Sequence, residues 1–364
     1  MKEQKEFSFP RRKTRRIMVG GVPIGGGAPV VVQSMIKTDS RDVRATSAEI
    51  KRLERVGCEI IRMAVPDLEA VEALRKIRNQ IRIPLIADIH FDHRLALAAV
   101  QAGVDGLRIN PGNIGSKNKV QEVVRAAQER KIPIRIGVNS GSLEKTLLRK
   151  FGGATPEAMV ESALGHVRIL EDLDFRDIKI SLKASDVPRT VTAYRLLARK
   201  VDYPFHAGIT EAGGLFQGAV KSAAGLSLLL SEGLADTIRV SLTAPPEEEV
   251  RVAFQILRSL GLRSGGLNFV SCPVCGRCEV DLMRIASKLE RKIGGRPGDL
   301  TVALMGCMVN GPGEAKEADI GVACGKGVGV LFKKGRLLRR VREKEIVSEL
   351  TKEIEKCLGE HEKH

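Results

Sequence analysis

Thiols supply the first chemistry. CPVCGRC brings Cys272, Cys275 and Cys278 close together, and Cys307 opens CMVNGPGE further on. Cysteines at this spacing with a distant partner signal a metal centre. Zinc and iron–sulfur both fit the pattern. All four thiols would make a closed set that transfers electrons or staples a fold. An open site needs a weaker ligand, and Glu314 stands beyond a Gly-Pro-Gly turn that can fold the chain back towards the metal. Cys324 and Cys357 lack such spacing and read as incidental, and Cys58 stands alone in the first 271 residues.

A second set of polar residues recurs at the ends of short β-branched runs. These are Gln33 and Ser34, Arg62, Asp88 and His90, Arg108 and Asn110, Arg135 and Asn139, Lys183, Glu211, then Arg239 and Ser241. Strand residues two apart share a face, so Arg108 with Asn110 and Arg239 with Ser241 point to one side. Five of these ends carry a cation: Arg62, Arg108, Arg135, Lys183 and Arg239. Cations that face one another need an anion between them, and the planar guanidinium matches phosphate oxygens two at a time. One phosphate does not need five cations, whereas a diphosphate does. The plainer reading pairs each arginine with Asp88 or Glu211. Glu211, in GITEAGG, is either a general acid or a salt-bridge partner. His90 and Asp92 in DIHFDHR are either metal ligands or hydrogen bonders. VGGVPIGGG and GKGVG lack the strand–helix context of a phosphate loop.

The elements that position these residues alternate regularly. Strands are expected at 30–35, 60–66, 84–89, 106–111, 133–138, 177–183, 204–210 and 237–242. Amphipathic segments such as SAEIKRLERVG separate them. Pro84, Pro133 and Pro204 each open a strand, where a missing N–H is tolerated. Gly57-Cys-Glu-Ile-Ile-Arg62 resembles Gly103-Val-Asp-Gly-Leu-Arg108, the helix-to-strand turn of a repeated unit. Eight units of roughly 30 residues indicate an α/β fold, a (β/α)₈ TIM barrel, rather than an open doubly wound sheet. Residues 1–28 read as a basic arm and hairpin and 29–262 as the barrel, closed by a helix over 246–261. RSGG at 263–266 reads as a linker. Residues 266–364 read as a small α+β domain: a cysteine turn, a helix at 279–293, strands at 301–307, 319–323 and 328–333, and a charged helix from about 342.

The 364 residues carry a net charge of +16, which points to anionic partners. Aromatics are only 3%, too few for base-stacking platforms. No apolar run is long enough to span a membrane and no signal core opens the chain, so a cytoplasmic protein is expected. In a reducing compartment the seven cysteines are no disulfide framework.

Taken together, these residues resemble the bacterial 4-hydroxy-3-methylbut-2-enyl diphosphate synthase family, from the methylerythritol phosphate route to isoprenoids. The likeness runs through VGGVPIGGGAPVVVQSM, ADIHFDHR, LRINPGNIG, IPIRIGVNSGSLEK, SLKASDV, GITEAGG, LLLSEGLADTIRVSLT, SCPVCGR and NGPGEA. It implies a [4Fe–4S] cluster held by Cys272, Cys275, Cys307 and Glu314. It implies 2-C-methyl-D-erythritol 2,4-cyclodiphosphate as substrate, held by Arg62, Arg108, Arg135, Lys183 and Arg239 with Asn110, Asn139 and Ser241 as neutral donors. Glu211 then becomes the proton donor, supported by Asp88 and His90. A head-to-tail homodimer and a flavodoxin or ferredoxin donor are implied as well. Cys278, Ile36-Lys37 and Cys324 depart from the family pattern, and Cys278 is expected not to ligate. A radical enzyme using S-adenosylmethionine lacks its cysteine spacing here. A basic zinc-binding nucleic-acid protein is the alternative; it explains charge and thiols but not the polar strand ends.

Overall fold

β-branched runs opened by prolines fix where the strands begin. The computed structural model describes residues 9–293, 298–307, 313 and 316–361. The chain divides into two units, Met1–Arg263 and Ser264–His364.

The first unit begins with a hairpin, β1 (Ile17–Val19) and β2 (Val22–Ile24). Eight parallel strands follow: β3 (Val31–Met35), β4 (Ile60–Ala64), β5 (Leu85–Asp88), β6 (Gly106–Arg108), β7 (Ile134–Asn139), β8 (Ile178–Lys183), β9 (His206–Ala207) and β10 (Thr237–Ile238). The sheet order is β8-β7-β6-β5-β4-β3-β10-β9. A parallel bridge between Ile180 and Phe205 brings β8 beside β9, so the sheet curls into the expected TIM barrel. Helices cover its outside. Asp42, Asp67, Asp92 and Asp186 cap four of them by accepting a backbone N–H of the first turn, satisfying donors that the helix itself cannot pair. Asp92 thereby serves as a helix cap, the hydrogen-bonding reading of DIHFDHR.

The hairpin plugs the barrel. Ile17, Val19 and Ile24 pack with Val31, Ile60 and Ile86 in a separate apolar cluster. Gly20 lies against Pro84 and Asp105, which precede β5 and β6, so the plug sits at the N-terminal end of the strands. The basic segment before it is docked. Arg11 pairs with Asp236 at 3.3 Å, and Arg12 donates to Val201 O at 2.6 Å and lies over the Phe205 ring. With one end sealed, the opposite mouth is left for ligands.

β9 and β10 are shorter than the sequence suggests. Arg239 N–H still donates to the Ala207 carbonyl at 3.0 Å, and at Gly208 a Cβ would fall 2.4 Å from the Arg239 carbonyl oxygen, so the position suits glycine.

The second unit is a five-stranded sheet, β11 (Gly266–Ser271), β12 (Asp299–Met305), β13 (Ile320–Gly325), β14 (Val328–Lys333) and β15 (Arg336–Arg342), in that order. β11, β12 and β13 run parallel, and β14 and β15 are antiparallel additions. Helices Leu282–Ile293 and Ile346–His361 supply the apolar residues of one core, among them Leu289 and Leu350. Two expectations fail. Gly266–Ser271 is a strand where a linker leading directly to the cysteine turn was expected. Residues 336–342 form an edge strand, and the final helix begins at Ile346. Edge strands tolerate charge because one side faces water, so RLLRRVR conceals its pairing. No helix among the described residues is long and apolar enough to cross a membrane.

Candidate active site and metal centre

Alternation along the barrel strands turns every second side chain inward, and at the open mouth those side chains are cationic. Arg62, Arg108, Arg135, Lys183 and Arg239 line one cavity together with Asp88, His90, Asn139, Ser181, Thr210 and Ser241. Asp88 is the hub on one side. Its carboxylate lies 3.2 Å from Arg108 Nη1, 3.4 Å from Arg62 Nε and 3.6 Å from His90 Nε2. Arg239 reaches Glu249 at 3.6 Å, and Glu249 also holds Lys37 at 2.9 Å. Among the described residues no carboxylate pairs with Arg135 or Lys183, and Arg135 Nε and Nη1 are buried without a partner. The plainer reading therefore holds for Arg62 and Arg108, which share Asp88; Arg239 pairs with Glu249 instead, and Arg135 has no carboxylate among the described residues.

Two further features leave room for an anion. Arg62 Nη2 and Arg239 Nη1 point at Met35 Sδ, 2.7 and 3.4 Å away. A thioether is a weak acceptor, so these donors keep most of their capacity. Gly137 and Gly208 make space for cations: a Cβ at Gly137 would fall 2.5 Å from Arg108 Nε, and one at Gly208 would fall 3.1 Å from Lys183 Nζ.

Ionisation follows the same logic. Burial lowers the Arg62 pKa to about 10, with Asp88 opposing the shift. Burial, reinforced by neighbouring cations, pushes Arg135 and Lys183 well below their ordinary values. Burial would raise Asp88, but Arg62, Arg108 and Arg135 outweigh it and hold the carboxyl low. His90 is lowered, chiefly by burial and then by Arg108 and Arg62 against Asp88. Positive charge thus exceeds negative in a low-dielectric cavity, and an anion relieves the imbalance.

Two expected residues stand elsewhere. Asn110 bridges the backbone of Gly137, donating to its carbonyl at 3.0 Å and accepting from its N–H at 2.9 Å. Arg108 Nη2 donates to the same carbonyl at 2.8 Å, so Asn110 fixes the peptide on which Arg108 rests. Glu211 is exposed, next to the lining residue Thr210, with φ of 52°. Non-glycine residues seldom adopt that conformation, and strain of this kind gathers at functional sites.

The thiols gather at one end of the second sheet. Cys272 follows β11, Cys307 lies just past β12, and the two strands are parallel neighbours. Gly306 N–H donates to Cys272 Sγ at 3.3 Å. A Cβ on Gly306 would fall 3.4 Å from Cys272 Sγ and 2.5 Å from Cys278 Sγ, so glycine creates the space beside the thiols. Val274, inside the CPVC turn, has φ of 60°, an outlier for a β-branched residue. Cys275 is exposed, and none of the seven cysteines is in a disulfide. Cys278 donates to Val280 O at 3.2 Å. Burial pushes the Cys324 thiol up to about 12, so it stays protonated. Glu314 lies outside the described residues, and no described group of three His, Cys, Asp or Glu is arranged to hold a metal ion. The clustered thiols, the glycine clearance and the strained turn nevertheless fit a group held by thiolates.

The GcpE TIM-barrel domain model matches residues 14–254, and the GcpE protein C-terminal domain model matches 268–356. A 4-hydroxy-3-methylbut-2-en-1-yl diphosphate synthase (flavodoxin) of Geobacter sulfurreducens is 60% identical over 350 residues, covering 96% of this chain and 99% of the relative. Those of Thermodesulfovibrio yellowstonii and Geobacillus kaustophilus are 59% and 56% identical, covering 95% and 96% of this chain and 99% and 94% of the relatives. The chain belongs to this synthase family.

Nothing in these matches supports the nucleic-acid alternative, and the clustered cations sit inside a barrel instead of along a surface. Within the family fold, the cavity adds two residues absent from the sequence reading, Ser181 and Thr210. Ser181 was within reach of a stricter period of two, since it shares a β8 face with Lys183. Thr210 sits beyond the regular part of β9 and carried no such signal.

Proposed function

We propose that this chain catalyses the reductive ring opening and dehydration of 2-C-methyl-D-erythritol 2,4-cyclodiphosphate to 4-hydroxy-3-methylbut-2-enyl diphosphate. Two electrons and two protons enter, one ring C–O bond breaks, and one hydroxyl leaves as water. The observation that carries the reading is the barrel mouth, where Arg135 and Lys183 line a cavity without a carboxylate partner among the described residues. Membership of the synthase family supplies the identity of the diphosphate.

The chain's own residues divide the work. Arg62, Arg108, Arg135, Lys183 and Arg239 hold the phosphates, with Asn139 and Ser241 as neutral donors. Asn110 acts one step back, by holding Gly137 and hence Arg108. Asp88 orients Arg62, Arg108 and His90. Glu211, on the rim, delivers a proton to the leaving oxygen. Cys272, Cys275, Cys307 and Glu314 would hold a [4Fe–4S] cluster, which when bound supplies single electrons and a Lewis-acidic iron. A carboxylate is a weaker hold than a thiolate and suits a corner that must open. Electrons come from a flavodoxin, and the protein works as a cytoplasmic homodimer.

The test is turnover of the cyclic diphosphate by the anaerobically purified chain with reduced flavodoxin. Formation of the linear diphosphate and water is expected, with iron and not zinc in the protein. A zinc-loaded chain that turns nothing over would overturn the reading. Glu314→Ala should alter the Mössbauer signal of one iron; four equivalent thiolate-held irons, unchanged by the substitution, would remove the open-corner assignment.

A further inference from the structure

Beneath the cavity lies a second group of ionisable side chains, with no part in the scheme above. Lys179 and His206 are 1% and 0% exposed. Lys179 shares a face of β8 with the lining residues Ser181 and Lys183, and its register partner on β7 is Arg135. His206 opens β9 opposite Thr237 of β10, whose Oγ1 lies 2.8 Å from His206 Nδ1. Lys179 Nζ, His206 Nε2 and both amide atoms of Gln33 on β3 are buried without a hydrogen-bond partner. Buried groups in that state call for water or a change of charge.

Their surroundings are positive. Lys179 is faced by Arg135 from β7 and Arg62 from β4. Asp236, ahead of β10, is the carboxylate acting on it, and that group already accepts from Phe205 N–H and pairs with Arg11. His206 is faced by Lys183 and Lys179 from β8, by Arg135 and by Arg62. Tyr194, on the helix outside β8, donates to the His206 carbonyl and leaves the ring alone. Without an anion above them, further charge on Lys179 or His206 is opposed from several strands. A diphosphate against Arg135 and Lys183 reverses that field.

We propose that Lys179 and His206 take up a proton from solvent when a diphosphate fills the cavity above them, coupling anion binding to protonation of the barrel interior. The added charge lies under the phosphates and strengthens their hold. The two residues touch no reacting atom and are positioning residues. The inference rests on the diphosphate reading of the cavity.

Calorimetry of inorganic pyrophosphate binding to the full-length, cluster-loaded chain tests it. Titrations at neutral pH in two buffers of different ionisation heat count the protons bound. The wild type should take up roughly half to one proton more per site than Lys179→Met. Lys179→Met should also bind about tenfold more weakly, with a flatter pH dependence. Lys179→Gln, neutral but polar, is measured alongside so that the comparison survives if methionine is not tolerated. His206→Asn, which keeps a partner for Thr237, should lower the proton count as well. Pyrophosphate's own titration is common to all four proteins and cancels. Equal proton counts throughout would overturn the proposal while the cavity reading stands. Absence of pyrophosphate binding to the wild type would overturn both.

Discussion

A single hydrogen atom at Gly137 decides where Arg108 rests. Any side chain there meets the guanidinium, since a Cβ would fall 2.5 Å from Nε. Gly137→Ala should therefore displace Arg108 while leaving the fold in place, because the β7 backbone conformation at this position suits alanine. Misplacing one phosphate ligand by about an ångström costs up to roughly a hundredfold in rate. The expected result is a raised KM with a normal circular dichroism spectrum, and an unchanged KM would argue that Arg108 does not meet the phosphates. Glu211→Gln separates differently. Its exposed position predicts an unaltered cluster spectrum and KM, with kcat lower by about 10²–10⁴; near-normal turnover would remove the proton-donor role. These residues were legible because cations and a glutamate at strand ends are conspicuous. Lys179 was not, because a lysine early in DIKISLK looks like an outward polar residue until the inward face of β8 is known.

β8 sets three polar side chains inside the barrel, Lys179, Ser181 and Lys183, and the lowest of them destabilises the fold. The unfolded chain keeps the Lys179 proton to about pH 10.4. In the folded chain burial, then Arg135, pushes its pKa well below that. Between the two values the unfolded state binds more protons, so stability rises with pH across that window. Lys179→Met removes the penalty. Its Tm at neutral pH should exceed the wild type's by roughly 3–6 °C, and the gain should shrink as the pH approaches about 10. Thermal melts across that range decide it; a gain independent of pH would place the effect in packing instead. The hairpin plug is the opposite case. Ile24 is fully buried in it, and Ile24→Ala should cost about 2–4 kcal/mol in a denaturant titration. Barrel strands were legible because prolines and β-branched runs bound them. β11 escaped because glycines precede it and cysteines follow, so no alternating pattern builds up. β15 escaped because its arginines suit the solvent side of an edge.

Across the whole molecule the charge of +16 is not one property but two. Part of it lies inside the barrel mouth, where it lines the cavity and acts at short range. Exposed pairs such as Arg15 with Asp202, Arg52 with Glu247 and Arg195 with Glu232 cancel and add nothing to the surplus. The remainder lies on the surface and acts at distance, where salt screens it with a Debye length of about 10 Å at 0.1 M. The proposed donor, an acidic flavodoxin, would gain in encounter rate from that field, and the gain would fade as salt is added. The two parts can be told apart kinetically. With flavodoxin as donor, kcat/KM for the donor should fall roughly tenfold or more between low and moderate ionic strength. With a small neutral reductant in its place, turnover at saturating substrate should change little over the same range, since cations buried in the cavity are screened far less. Equal salt sensitivity with both donors would assign the effect to substrate binding. The surface charge would then have no part in choosing the donor.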